Sequence, residues 1–285
     1  MADILLCKKD AVCGMNIAIN INRELAFAPF FGKRRSKKIQ RLYHHIVVSF
    51  CEKERRAGFR EEMSSVLRFK VDPMDLTIIY DNTAFDPRLG AGWGFSCLVR
   101  HGETSVLFDT GADGDILLAN MEKLCIDPES VDFVFISHLH LDHVGGLASF
   151  RNVNHEAQVY FPDTAPSRAK HKMIALREQQ RLLPGMYTTG ILEGIEQSLL
   201  VWTSRGWAVI SGCAHPGVGR ILETAAGFGT IRALIGGLHD FQEFELVRGL
   251  ELICPTHCTM YGDQLRKLFP EECIQGGAGR SLVLD

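Results

Sequence analysis

Three imidazoles and one carboxylate fall within six positions in Ser137-His138-Leu139-His140-Leu141-Asp142-His143-Val144-Gly145-Gly146. Directly before them, the apolar run Val131-Asp132-Phe133-Val134-Phe135-Ile136 predicts a strand covered on both faces. Such a strand delivers the residues at its end onto a rim, where α/β proteins commonly keep their chemistry. Core packing has no use for His-x-His-x-Asp-His at that place. A divalent metal does, because neutral imidazoles and carboxylates are good ligands for zinc-like ions.

Three further histidines close apolar runs with similar punctuation. They stand in Ser211-Gly212-Cys213-Ala214-His215-Pro216-Gly217, in Gly236-Gly237-Leu238-His239 and in Pro255-Thr256-His257-Cys258-Thr259. Glycine beside a ligand lets the backbone approach a metal or substrate closely. If these strand ends converge on one rim, six imidazoles and Asp142 suffice for two metal sites. Cys213 and Cys258 neighbour the histidines, but small buried residues are common at such turns, and both read as packing.

The elements that must position these residues begin at Met74. Leu76-Thr77-Ile78-Ile79-Tyr80 predicts a strand ending at Asp81-Asn82, which places Asn82 near the site mouth as a substrate contact. A hairpin follows over 95–108, ending at Asp109-Thr110-Gly111, and a second over 199–210. Helical spacing runs over 115–124 and again over 144–150. Residues 163–190 carry Arg168, Lys170, Lys172, Arg177 and Arg181 and predict a helix-containing excursion. Those cations are either a solvated helical face or a lid that recruits phosphate. Strands at 231–235, 250–254 and 281–284 complete the pattern. Hairpins followed by β-α units, twice over, imply an α/β fold of two mixed sheets packed together with helices outside. Gly276-Gly277-Ala278-Gly279-Arg280 is either a phosphate cradle closed by Arg280 or a tight connection before the last strand.

Residues 1–73 differ in character, with the basic run Lys33-Arg34-Arg35-Ser36-Lys37-Lys38 and the charged stretch Glu52-Lys53-Glu54-Arg55-Arg56. They read as a weakly structured extension of a domain over 74–285, as a basic docking arm, or as sequence upstream of a natural start at Met63 or Met74. A net charge of −3 over 285 residues argues against nucleic acid as the partner. No stretch approaches the ~18 apolar residues of a membrane span. Nine cysteines without a Cys-x-x-Cys pair, and no signal peptide, indicate reduced thiols and a cytoplasmic location. Nothing in the sequence speaks to oligomeric state.

From Met74 onward the chain resembles the metallo-β-lactamase superfamily. The resemblance rests on Tyr80-Asp81-Asn82, Phe108-Asp109-Thr110-Gly111, the 138–143 motif, Ser211-Gly212-Cys213-Ala214-His215, Ile235-Gly236-Gly237-Leu238-His239 and Pro255-Thr256-His257-Cys258-Thr259. Within the superfamily the chain is similar to the branch named for dihydropterin ribofuranosyl-aminobenzene phosphate synthase, an archaeal methanopterin-pathway enzyme. The resemblance implies an αββα sandwich with one or two divalent ions, zinc or else manganese or iron, at the sheet edge. It assigns His138, His140 and His215 to one ion and Asp142, His143 and His257 to the other, with Asp109 bracing the histidine loop. The superfamily's usual hydrolases place a bridging aspartate between the positions of His215 and His257. Here that region offers His239, which leaves the second ion less well held and, with Asp142, gives a candidate catalytic pair. The implied substrate is a small anionic molecule, phosphorylated or pterin-like. Hydrolysis of phosphodiesters, lactones or other esters needs the same ligands and stays open, as does a metal-binding protein without turnover.

Overall fold

The computed structural model describes residues 73–164 and 172–285. The expectations for residues 1–72, for Arg168 and for Lys170 lie outside the described residues. Strands β1 (Met74–Tyr80), β2 (Ser96–His101) and β3 (Thr104–Phe108) form an antiparallel meander. Their alternation sends Leu76, Ile78, Cys97, Val99, Val106 and Phe108 inward. Helix α1 (Gly114–Lys123) is capped by Asp113, whose carboxylate accepts from the N–H groups of Asp115 and Ile116. It crosses over to β4 (Phe133–Phe135), which lies parallel to β3. Two short helices, α2 (Leu141–Val144) and α3 (Leu147–Val153), lead to β5 (Gln158–Pro162) and β6 (Met173–Leu176), both parallel additions. The last strand, β13 (Ser281–Leu284), closes the other edge beside β1, giving seven strands.

The second sheet has six strands. β7 (Gln180–Leu183), β8 (Met186–Thr188), β9 (Leu199–Thr203) and β10 (Gly206–Ser211) pair antiparallel in succession. Helix α4 (Val218–Ala226) then turns the chain into the parallel strands β11 (Ile231–Gly237) and β12 (Leu252–Thr256), followed by α5 (Gly262–Leu268). One core is shared between the sheets, with Phe108 and Phe135 from the first packed in the same cluster as Ile210, Ile235 and Cys254 from the second. Burying each such aromatic or aliphatic side chain contributes roughly 1.5–3 kcal/mol. The outer face of the first sheet is covered by α1 and α3, and that of the second by α4 and α5. This is the αββα sandwich of two mixed sheets. Among the described residues no helix is long and apolar enough to cross a membrane.

Two expectations give way here. The stretch 163–190 contains no helix among its described residues; 173–188 instead forms the edge strands β6 and β7 and, beside β7, β8. The edge strands are short and partly exposed, so they lack the two-residue alternation of buried and exposed positions that would mark them as strands. The helix over 144–150 is two pieces, because the chain breaks at Gly145-Gly146. A side chain at Gly145 would collide with the Ala112 carbonyl. The consequence for function lies in strand direction. β3, β4, β10, β11 and β12 each end where a candidate residue begins: Asp109, the 137–143 loop, Gly212 to His215, His239 and His257.

Candidate metal centre

The strand ends do converge. The His138 ring lies 4.6 Å from that of His140, 4.8 Å from His215 and 4.1 Å from His143, centroid to centroid. His143 in turn lies 5.0 Å from His257. Asp142 Oδ2 stands 3.2 Å from His257 Nε2 and 3.7 Å from His143 Nε2. His239 sits at the margin, its ring 5.1 Å from His215 and its side chain 47 % exposed. The structure therefore brings His138, His140 and His215 together on one side and Asp142, His143 and His257 on the other.

Three of the imidazoles, His138, His143 and His257, are oriented by a bond to Nδ1. Asp109, fully buried, accepts from the Ser137 amide (2.7 Å) and hydroxyl (2.7 Å) and from His143 Nδ1 (2.7 Å). A carboxylate there selects the Nδ1–H form of His143 and leaves Nε2 as a lone pair. With the Ser137 hydroxyl donating to Asp109, His138 Nδ1–H donates to Ser137 Oγ (2.9 Å), which leaves His138 Nε2 a lone pair facing His140 Nδ1 at 3.1 Å. On the opposite side, His257 Nδ1 donates to Asn82 Oδ1 (2.9 Å), and its backbone N–H donates to Asp81 (2.8 Å). Burial pushes the Asp81 carboxyl up to about 6, against the His257, Asn82 and Gly277 N–H groups that lower it.

Two ring nitrogens at this centre have no hydrogen-bond partner. His215 Nε2 and His257 Nε2 are buried without a hydrogen bond, although His257 lies close to Asp142. Burial, and then His143, pull His257 down to about 4; burial, followed by the neighbouring rings, also lowers His138 and His215. For His143 burial acts downward as well, but Asp109 outweighs it and leaves the group raised. Neutral imidazoles with buried, unpartnered nitrogens are costly unless something electropositive fills the space between them. Among the described residues, two groups could hold a metal ion: Asp142, His143, Cys213 and His257, and His138, Cys213 and His215. The donor set fits divalent ions.

Close approach of the two sheet edges requires Gly212. A Cβ there would run into the Ser137 hydroxyl and lie 3.1 Å from His138 Nδ1. The buried Glu196 carboxylate holds the turn that follows, accepting from the N–H groups of Gly212, Cys213, Ala214 and His215 at 2.9–3.2 Å. Four residues at these strand ends take left-handed backbone angles without being glycine: Asp109 (φ 52°), Ala214 (φ 58°), His239 (φ 50°) and His257 (φ 49°). Such conformations cost of order 1–3 kcal/mol each and persist where surrounding bonds impose them.

Several expectations change. Asn82 is a brace for His257 instead of a free substrate contact. Its Nδ2 donates to the His257 carbonyl (2.9 Å), while its Oδ1 also accepts from Gly94 (3.0 Å). In the glycine turn before β13, four of the five backbone donors are engaged within the fold, as a tight connection requires. Ala278 donates to Thr83, Gly279 to Ile78 and Arg280 to Gly277, and Gly277 bonds Asp81. The Arg280 guanidinium lies over the Phe85 ring at 4.7 Å, with Nε buried and unpaired. Cys213 is more than packing, since its Sγ is 3.2 Å from His143 Nε2. Its hydrogen bond with Cys258 and its burial hold that thiol well above its usual range. Glu196 carries no local signal at all, and Trp93, 63 % exposed with its ring 5.1 Å from His257, reads in the sequence only as part of a glycine-rich loop.

A family model described as the metallo-beta-lactamase superfamily matches residues 90–257, more than half of the chain. The chain belongs to that superfamily. Among relatives, a "7,8-dihydropterin-6-methyl-4-(beta-D-ribofuranosyl)-aminobenzene-5'-phosphate synthase" of Methanocaldococcus jannaschii is 25% identical over 274 residues, covering 71% of this chain and 92% of the relative. An N-acyl homoserine lactonase of Azorhizobium caulinodans is 36% identical over 75 residues, 26% of this chain and 25% of that protein. A solved metal-dependent hydrolase of the β-lactamase superfamily, Tm1679, is 26% identical with a TM-score of 0.60, covering 74% of this chain and 100% of its own. The Bacillus subtilis metallo-β-lactamase-fold protein YhfI, at 18% identity and a TM-score of 0.55 over 74% of this chain and 99% of its own, shares the fold. The converging histidines thus occupy the sheet edge of a metallo-β-lactamase sandwich.

Proposed function

We propose that this metallo-β-lactamase-fold protein is a cytoplasmic metalloenzyme of the dihydropterin-phosphate-synthase-like kind, acting on a phosphorylated or pterin-like small molecule. The observation that carries this reading is the exposed face of Trp93 beside His257. An uncovered indole next to the imidazole cluster suits a flat ring, which stacks offset or edge-on. Leu139 and Leu141, both exposed and adjoining candidate ligands in the chain, add apolar surface beside the cluster. The similarity to the methanogen synthase over nearly its whole length supports the same reading.

In this reading His138, His140 and His215 hold one ion, and Asp142, His143 and His257 the other, zinc or else manganese or iron. Such ions, when bound, polarise phosphate oxygens and lower the pKa of water to about 7. Asp109 and Asn82 keep the His143 and His257 rings in the tautomer that presents Nε2. Asp142 Oδ2, on a partly exposed side chain, accepts a proton, and the exposed His239 ring delivers one to the departing group. A cavity of about 220 Å³ beside His215, lined by Ala214, Val218, Leu238, Phe241, Asp240 and Glu243, carries its own acids. Those acids turn an anionic group toward the imidazoles. The partner is then a small anion, with no nucleic acid or membrane required.

Hydrolysis of a phosphodiester or lactone is the second reading, favoured by the similarity to the solved metal-dependent hydrolase. Titration with a dihydropterin, followed by indole fluorescence, separates the two. Trp93→Leu is expected to weaken binding roughly 2- to 10-fold, the worth of one aromatic pair. Rapid metal-dependent turnover of simple chromogenic esters, with no dihydropterin binding, sinks the synthase-like reading.

A further inference from the structure

We infer that Cys213 is a metal ligand shared between the two halves of the centre, standing in for the bridging carboxylate that His239 replaces. Three observations meet on this sulfur. Cys213 is the one residue common to both ligand groups: its Sγ lies within 4.8 Å of Asp142, His143 and His257 donors on one side and of His138 and His215 donors on the other. Its contact with His143 Nε2, at 3.2 Å, is near the ~3.5 Å that separates sulfur and nitrogen on one tetrahedral ion with ordinary bond lengths. His257 Nε2 faces the same space, buried and without a hydrogen-bond partner.

Charge points the same way. Asp109 spends its carboxylate on Ser137 and His143, and Glu196 spends its own on four backbone N–H groups. Asp81 is likewise taken up by the Asn82 and His257 N–H groups, which leaves Asp142 as the carboxylate in the two ligand groups to face two divalent ions, a poorly compensated charge. A thiolate at the centre removes one further unit of positive charge. The Cys213 proton goes to solvent as the ion binds, and no oxidation takes place. Glu196 is the positioning residue, because its bonds to Gly212, Cys213 and Ala214 set the backbone from which Sγ projects.

This inference rests on the metal-centre reading, and cobalt(II) tests the two separately. The full chain, stripped with chelator and reloaded with cobalt(II), is expected to show a thiolate-to-cobalt charge-transfer band in the near ultraviolet. The band should vanish in Cys213→Ser and persist in Cys258→Ser, and one equivalent of cobalt should be lost with the first substitution only. Two bound equivalents without a band overturn the shared thiolate while leaving the metal centre standing. No bound cobalt overturns both. A band that survives Cys213→Ser, or disappears only in Cys258→Ser, also overturns it. Should Cys213→Ser fail to fold, X-ray absorption on the wild-type and Cys258→Ser proteins decides. A sulfur neighbour at about 2.3 Å in both supports the assignment, and its absence from either rejects it.

Discussion

The first sheet hands over His138, His140, Asp142 and His143 on one loop after β4, whereas the second sheet delivers Cys213 and His215, His239, and His257 from the ends of three different strands. Their supports differ to match. One buried carboxylate, Asp109, locks both the Ser137 turn and the His143 ring. In the second sheet each end has its own arrangement: Glu196 for the 212–215 turn, Asp81 and Asn82 for His257, and for the His239 carbonyl a single bond from the Met260 amide. A contiguous motif shares a brace. Scattered residues need one each, and His239, outside both ligand sets, is left exposed.

That contrast can be broken at graded cost. His140→Ala should abolish bound metal and activity together; metal retained at full stoichiometry would show the first-sheet ligands to be misplaced. Next, Asp109→Ala leaves the His143 ring buried without its partner, a loss of about 3–5 kcal/mol. Urea unfolding of the metal-free chain would read it. Glu196→Gln should cost less, about 1–3 kcal/mol, since the carboxamide oxygen still accepts some of the amide bonds. It should also lower metal affinity 10- to 100-fold, read by competition with a chromogenic chelator. Equal losses from the Asp109 and Glu196 substitutions would remove the distinction between shared and separate braces. His239→Ala should disturb the centre least, with stability within ~0.5 kcal/mol and metal content unchanged. Turnover alone should fall, by roughly 100-fold if the ring moves a proton.

Legibility in the sequence follows the same division. The His138, His140, Asp142 and His143 cluster is readable because its chemistry is compressed into six residues. His215 and His257 are readable because glycine or proline marks each strand end. Glu196 is invisible, since its role exists only once the turn at Gly212 folds back across it. Asn82 is misread for a related reason: a polar residue after a strand resembles a substrate contact until its amide is seen to be occupied. Cys213 looks like packing because only the meeting of both sheets shows what its sulfur faces. The short edge strands β6 and β7 read as helical because they carry no two-residue alternation.

Gln197 gives the two halves of the centre a common ruler. Buried just ahead of β9, it donates from its backbone to Ser137 and from its side-chain amide to Ile136, while its carbonyl oxygen accepts from Thr188. The histidine loop is therefore tied to the second sheet twice by one residue, once through its main chain and once through its side chain. Asn at this position, shorter by a methylene, would keep the first tie and lose the second.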